Sequence, residues 1–157
     1  MRKRDVDLDD IDRKILARYQ HDTRVPAQAI GAGVGLSAAA VQRRLKRLRE
    51  AGVIEAEIAR IAPEALGYAV TCVVGVDIEN ERRADIEGFK RRMARFPEVQ
   101  QCYYVTGAVD FMLIVLARSA ADYEAFTREA LLDDPNVRSF TTYVVLDRSK
   151  VGLGVPP

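Results

Sequence analysis

Apolar residues follow a helical period in the first third of the chain and a strand-like period further on. Near the start, five of them recur at helical spacing: Leu8, Ile11, Ile15, Leu16 and Tyr19. Charged residues, Asp12 among them, fill the positions between, which predicts an amphipathic helix ending near Asp22. A second, shorter helix is predicted over residues 27–34, because Pro26 suits the first turn of a helix.

A third helix is predicted after a Gly-Leu-Ser turn, with Ser37 as its N-cap and Gly52 at its end. Three apolar residues form its buried stripe: Val41, Leu45 and Leu48. The opposite face carries small, polar and basic residues: Ala39, Arg43 and Lys46, flanked by Ala40, Gln42 and Arg47. The helix is therefore amphipathic, with a basic outer face.

This outer face has the chemistry of a DNA-reading surface. Small residues such as Ala39 let the first turn approach a groove wall, and Gln42 and Arg43 are long enough to reach base edges. Arginine pairs with guanine and glutamine with adenine in the major groove. Residues 53–61 alternate like a short hairpin, and three helices followed by such a wing make a winged helix-turn-helix. The alternative is a solvated basic helix that contacts nothing; the small first turn and the short preceding helix favour DNA.

After a linker at residues 62–67 the period changes from helical to alternating. Six segments follow: strands at 69–78, 99–106, 111–117 and 137–147, and helices at 82–96 and 121–132. Their order, βαββαβ, is that of the ferredoxin-like motif, with both helices on one sheet face. The chain is therefore predicted to be an α+β protein with four parts: a winged helix-turn-helix domain at 1–61, the linker at 62–67, a ferredoxin-like domain at 68–150 and a tail at 151–157.

Parts of three predicted strands, at 70–74, 111–117 and 143–146, are apolar on both faces. A sheet with one solvated face should alternate apolar and polar residues. An uncovered apolar face is a feature that soluble monomers avoid. We therefore expect a second copy of the chain to cover this face, giving a homodimer whose two-fold symmetry suits a helix-turn-helix operator.

Charge and composition narrow the function further. Residues 1–62 carry 13 Lys and Arg against 9 Asp and Glu, whereas residues 63–157 carry 11 against 14, so an anionic partner is expected for the first part only. The sequence has one histidine and no nucleophile–base pair, phosphate loop or metal-ligand spacing, so no catalysis, cofactor or metal is predicted. Cys72 and Cys102 are expected to be reduced, as in a cytoplasmic protein.

Asp110, in the turn that Gly107 opens, has two interpretations. Its carboxylate can accept hydrogen bonds from backbone amides of the hairpin, which is a structural role. It can also bind the ammonium group of an amino acid. Spacing alone favours the structural role.

Three stretches resemble the Lrp/AsnC family, the leucine-responsive or feast/famine regulators. They are residues 8–16 (LDDIDRKIL), residues 35–54 with their Gly-Leu-Ser turn and basic helix, and residues 106–111 (TGAVDF). The resemblance runs over about residues 7–150. It implies a winged helix, a hinge and a ferredoxin-like domain that dimerises sheet to sheet, with dimers that associate further. It also implies that amino acids bind near the Thr-Gly-x-x-Asp turn and alter DNA affinity or assembly.

The resemblance and the outer-face pattern together give two sets of site residues. Five residues are expected to face double-stranded DNA: Ser37 and Lys46 as phosphate anchors, Gln42 and Arg43 as base contacts, and Ala39 between them. Four are expected to line the effector site: Thr106, Gly107, Asp110 and, more weakly, Thr142. The sequence departs from the family at Ala38, where proline is frequent, at Glu57, where the wing often has tyrosine, and at Val109, where an aromatic residue is common in the turn.

The predicted function is that of a sequence-specific transcription regulator that responds to a small molecule, an amino acid in this interpretation. One alternative is an architectural, chromatin-like protein that binds DNA without an effector. A second is a metabolite-binding oligomer that does not bind DNA.

Overall fold

The computed structural model describes residues 7–156, in two compact units. One consists of the chain up to Arg60 together with the segment that starts at Lys150, and the other is Ile61–Ser149. The first six residues of the predicted N-terminal domain, and the last residue of the predicted tail, lie outside the described residues. No helix within residues 7–156 is long and apolar enough to cross a membrane.

The first unit contains three helices, α1 (Asp10–Tyr19), α2 (Ala27–Val34) and α3 (Ala38–Glu50). Asp9 begins α1 with a capping box, and Ser37 begins α3 with its side chain accepting from the Ala40 amide. The helices enclose a small core of five buried residues: Ile15, Tyr19, Ile30, Val41 and Leu45. Leu48 is also fully buried, so the predicted inner stripe of α3 is confirmed.

The predicted wing hairpin is wrong: residues 53–61 contain no strand. The side chains of Ile58 and Ile61 are 76% and 60% exposed, so the alternating pattern does not bury an apolar face within this chain. An isolated two-stranded hairpin is marginal in water without such a face. The segment is instead attached to the helices through Glu57, whose carboxylate contacts α1 and α3.

The second unit is an antiparallel sheet with helices, in the predicted order βαββαβ. Its elements are β1 (Val70–Ile78), α4 (Arg83–Met93), β2 (Val99–Tyr104), β3 (Phe111–Ala117), α5 (Ala120–Thr127) and β4 (Val137–Val144). A single 3-10 turn (Pro63–Leu66) precedes β1, and a π-helical turn (Arg128–Leu132) continues α5. The strands lie side by side in the order β2-β3-β1-β4, which confirms the ferredoxin-like arrangement.

The helices cover one face of this sheet. Alternate residues of β1 point into the main core together with Phe89 of α4 and Phe126 of α5. Residues on the other face are aligned across the strands, since Val73 is paired with Ile114 on one side and with Tyr143 on the other. Of these, Tyr143 is exposed, and Val73 and Ile114 are only half-buried. The prediction of an apolar, uncovered sheet face is therefore confirmed; we call it the open face.

Candidate functional site

The outer face of α3 carries the five residues that the sequence predicted to face DNA. Ser37, Ala39, Gln42, Arg43 and Lys46 are all exposed. Lys46 is within 3.8 Å of Glu50 one turn later, a loose surface pair. Arg43 has no ion-pair partner within residues 7–156. The side chains of Gln42 and Arg43 thus project from the first half of the helix and are available to a ligand.

Two further arginines of α3 are held by acidic groups of α1. The Arg44 Nη1 atom lies 2.8 Å from both Asp9 Oδ2 and Asp12 Oδ1, and Arg47 donates to the second oxygen of Asp12. Asp12 is fully buried, so its carboxylate has no contact with water. Each of its two oxygens is instead paired with a guanidinium group. The pKa of the Asp9 carboxyl is lowered, first by the backbone amide of Asp12 and then by Arg44.

The last arginine of the helix belongs to a separate cluster. Arg49 Nη2 donates to Glu57 Oε1 and to Tyr19 Oη, each at 2.8 Å, and the Tyr19 hydroxyl also donates to Glu57. The hydrogen bonds from Arg49, and then from Tyr19, lower the pKa of the Glu57 carboxyl. Burial, followed by the hydrogen bond to Glu57, raises the pKa of Tyr19. Three of the five basic side chains of α3, those of Arg44, Arg47 and Arg49, are therefore held by carboxylates outside the helix, in addition to the loose pair between Lys46 and Glu50.

The predicted position of Asp12, on the solvated face of α1, is wrong, because its side chain is fully buried. Its spacing already indicated burial, because Asp12 lies four residues after Leu8 and three before Ile15, both on the apolar stripe. A carboxylate on such a stripe needs a cationic partner. The basic residues of α3 supply this partner.

The predicted effector turn lies between β2 and β3. Gly107 has a φ of 144°, a conformation that other residues rarely adopt. Asp110 Oδ2 accepts a hydrogen bond of 2.8 Å from the Ile78 amide, which attaches the turn to the end of β1. Val109 packs on Gly75, whose missing side chain leaves room for it on the open face. Asp110 therefore has the structural role that spacing favoured, while Thr106 and Gly107 are exposed beside it.

Thr142 is separated from this turn by the sheet. It is paired with Val74 and lies on the helix-covered face, where its hydroxyl is 2.5 Å from that of Tyr123 on α5. Val109, by contrast, lies against the open face at Gly75. Within one chain, Thr106, Gly107 and Asp110 thus share one turn, whereas Thr142 lies on the helix-covered face next to Tyr123.

Comparisons with known proteins agree with both units. Residues 8–49 match the AsnC-type helix-turn-helix domain, and residues 71–154 match the Lrp/AsnC ligand binding domain. An HTH-type transcriptional regulator of Sinorhizobium fredii is 42% identical over 96% of this chain and 89% of its own length. The leucine-responsive regulatory protein of Rhizobium meliloti is 34% identical over 92% of this chain and 93% of its own length.

Among solved structures, a transcriptional regulator of Neisseria meningitidis in complex with L-methionine superposes with a TM-score of 0.88. It is 27% identical, and the match covers 96% of this chain and 97% of that one. The family domains account for both units, and the relatives align along nearly the whole chain. This chain therefore belongs to the Lrp/AsnC family and is a transcriptional regulator with a helix-turn-helix domain and a ligand-binding domain.

Proposed function

We propose that this regulator recognises its operator with the first half of α3 and adjusts its DNA binding when an amino acid binds near the turn at Asp110. The observation that carries the first part is the contrast along α3. Gln42 and Arg43 project into solvent, whereas Arg44, Arg47 and Arg49 are held by acidic groups. Side chains without internal partners are the ones free to contact base edges.

Each of the five outer residues has a role in this proposal. Arg43 and Gln42 contact bases, and the small side chain of Ala39 lets the helix enter the major groove. Ser37 lies at the N-terminus of α3, where an amide-rich end attracts a phosphate. Lys46 contacts a second phosphate, since its pair with Glu50 is long and exposed and is readily exchanged for one with DNA.

The effector proposal rests on the turn and on a relative. Asp110 uses one oxygen for the Ile78 amide, and its negative charge remains available to an ammonium group. Thr106 and the backbone around Gly107 are exposed beside it. The Neisseria meningitidis relative has been solved with L-methionine, which supports an amino acid as the ligand class. Thr142 would contribute to the same pocket only where a second copy of the chain brings its helix-covered face to the turn.

A homodimer is proposed because the open face is apolar. Val73, Ile114 and Tyr143 form one row across three adjacent strands. Burying apolar area stabilises association by about 25 cal/mol per Å² before the entropic cost of docking. A two-fold dimer buries the same row from both copies, and further association of such dimers is expected from the family.

The experiment is fluorescence anisotropy with the duplex upstream of the protein's own gene and a scrambled duplex, at two salt concentrations. The full chain should prefer the upstream duplex, and this preference should survive the higher salt because backbone contacts alone weaken steeply. Arg43→Ala should cost about 1–3 kcal/mol on the upstream duplex and reduce the preference. The control is Arg91→Ala, an exposed arginine of α4, which should change neither.

Other outcomes separate the alternatives. Equal, salt-sensitive binding to both duplexes, with no response to any amino acid, would favour an architectural protein. If the wild-type chain bound neither duplex at low salt, it would be a metabolite-binding oligomer instead. Equal weakening of both duplexes by Arg43→Ala would remove the base-contacting role of Arg43.

A further inference from the structure

We propose that Asp12 and Glu57 act as internal counter-charges that keep three of the five basic side chains of α3 from binding DNA non-specifically. The inference rests on the proposed reading of DNA by α3. It assigns to these two acids a part in specificity, although neither is expected to touch the duplex. Both are positioning residues, acting through the arginines that they hold.

Both carboxylate oxygens of Asp12 already have arginine partners. Its two oxygens bind different arginines: Oδ1 lies 2.8 Å from Arg44 Nη1, and Oδ2 accepts from Arg47. Asp9 adds a second carboxylate to Arg44, also at 2.8 Å. Each arginine remains partly exposed, at 26% for the Arg44 side chain and 50% for that of Arg47. Both therefore have part of their surface in solvent while they are held by the acid.

A stability role alone does not account for this arrangement. Replacing a buried ion pair by well-packed apolar side chains is often neutral or stabilising. Position 12 adjoins Leu8 and Ile15 on the inner stripe of α1, where an aliphatic residue would extend the core. The network instead fixes where two charges of α3 point, and that matters to a surface that binds DNA.

Glu57 pairs with an arginine in the same way near the C-terminal end of α3. It holds Arg49 through two oxygens, at 2.8 and 3.2 Å, and Tyr19 completes the cluster. Glu57 lies in the segment where the sequence predicted a wing, so that segment places a negative charge against the helix.

The internal pairing of these arginines should weaken binding to DNA that lacks the operator. Non-specific binding is supplied almost entirely by cations that neutralise phosphates, and each contributes about 0.9 to the slope of log K against log salt. With Arg44, Arg47 and Arg49 engaged internally, Arg43 and Lys46 are the remaining basic residues of α3. Competition from a genome of non-specific sites makes this restraint useful, because the ratio of specific to non-specific affinity decides occupancy.

The test is the salt dependence of binding to the scrambled duplex, for Asp12→Asn, Glu57→Gln and the double variant in the full chain. Each released arginine should steepen the slope by about 0.9. Asp12→Asn should release Arg47, because Asp9 still holds Arg44, and Glu57→Gln should release Arg49. Affinity for the scrambled duplex should rise more than affinity for the upstream duplex, so the ratio of the two should fall. Circular dichroism would establish that each variant is folded.

The matched control is Glu124→Gln on α5. Glu124 lies 2.8 Å from Arg128 in an exposed pair, so this variant changes the net charge by the same amount and frees an arginine outside the helix-turn-helix unit. Its slope should equal that of the wild type. If Asp12→Asn fails to fold, Glu57→Gln still decides the question, because Glu57 is partly exposed and outside the helices.

Two results would overturn the inference. One is a slope for Glu57→Gln that does not differ from that of Glu124→Gln. The other is an equal gain on both duplexes, which would leave specificity unchanged. Failure of the wild-type chain to bind either duplex would instead overturn the proposed function, so the two failures are distinguishable.

Discussion

Two glycines of α2 differ sharply in what surrounds them. A Cβ added at Gly31 would lie 2.3 Å from the backbone oxygen of Leu36, whereas the nearest atom to one at Gly33 is the flexible end of Arg18 at 3.6 Å. Backbone cannot yield as a side-chain end can, since Leu36 also donates its amide to the Gly31 carbonyl at 3.0 Å. Gly31 thus permits the close turn between α2 and α3.

Gly31→Ala should therefore lower the free energy of unfolding by about 1–3 kcal/mol, as overpacking does. Gly33→Ala should raise it by up to about 1 kcal/mol, because alanine is the better helix former. Denaturant unfolding of both variants, followed by circular dichroism, measures the difference. Equal effects of the two substitutions would contradict the assignment of Gly31 to the turn.

Asp110 has a structural and a proposed binding role, and one substitution separates them. In Asp110→Asn the side-chain oxygen can still accept from the Ile78 amide, but the negative charge is gone. We expect stability within about 1 kcal/mol of the wild type. The rise in melting temperature on adding L-methionine, or whichever amino acid the wild type responds to, should disappear. A full thermal shift in this variant would show that the carboxylate charge does not hold the effector.

At the scale of elements, α3 and α5 begin with the same N-cap and so provide a matched pair. The Ser37 hydroxyl accepts from the Ala40 amide at 3.2 Å, and that of Ser119 accepts from the Asp122 amide at 3.1 Å. Aspartate is as good an N-cap as serine. Ser37→Asp and Ser119→Asp should both keep wild-type stability.

Their effects on DNA should differ. A negative charge at Ser37 repels the phosphate that is proposed to bind there, so binding to the upstream and scrambled duplexes should both weaken by roughly tenfold at low salt. Ser119→Asp should leave both affinities unchanged. Unaltered binding by Ser37→Asp, measured by anisotropy, would move the phosphate contact away from the start of α3.

Periodicity predicted most of the elements because burial imposes it. The stripe of Val41, Leu45 and Leu48 determines the inner side of α3, and the βαββαβ order followed from changes of period alone. The predicted wing hairpin at residues 53–61 was wrong, because alternation indicates a strand only where something covers its apolar side. The buried state of Asp12 was missed because residue type was given more weight than its position on the stripe. Which arginines of α3 are free could not be predicted, since their partners lie on α1 and at Glu57.

At the scale of the whole molecule, the open face is an apolar surface that one chain leaves uncovered. It presents the row of Val73, Ile114 and Tyr143, with Met112 beside Gly75 in the next row. The opposite face of the same sheet is covered by α4 and α5 and holds the main core. In the proposed dimer, a β-sandwich made from two copies would give the open face the same kind of cover.

Adjacent residues of β4 allow this assembly to be tested. Tyr143 and Val144 are each 60% exposed, but Tyr143 is paired with Val73 on the open face and Val144 with Cys72 on the helix-covered face. Tyr143→Glu should convert the proposed dimer into a folded monomer, because it would bury an unpaired charge at the proposed interface. Val144→Glu should keep the mass of the wild-type assembly. Analytical ultracentrifugation gives the mass of each, and circular dichroism shows whether the sheet is retained. Should Tyr143→Glu sediment as the wild type does, a different surface joins the copies. A monomeric Tyr143→Glu should also bind the upstream duplex more weakly than the wild type, since a single recognition helix then contacts only one half-site.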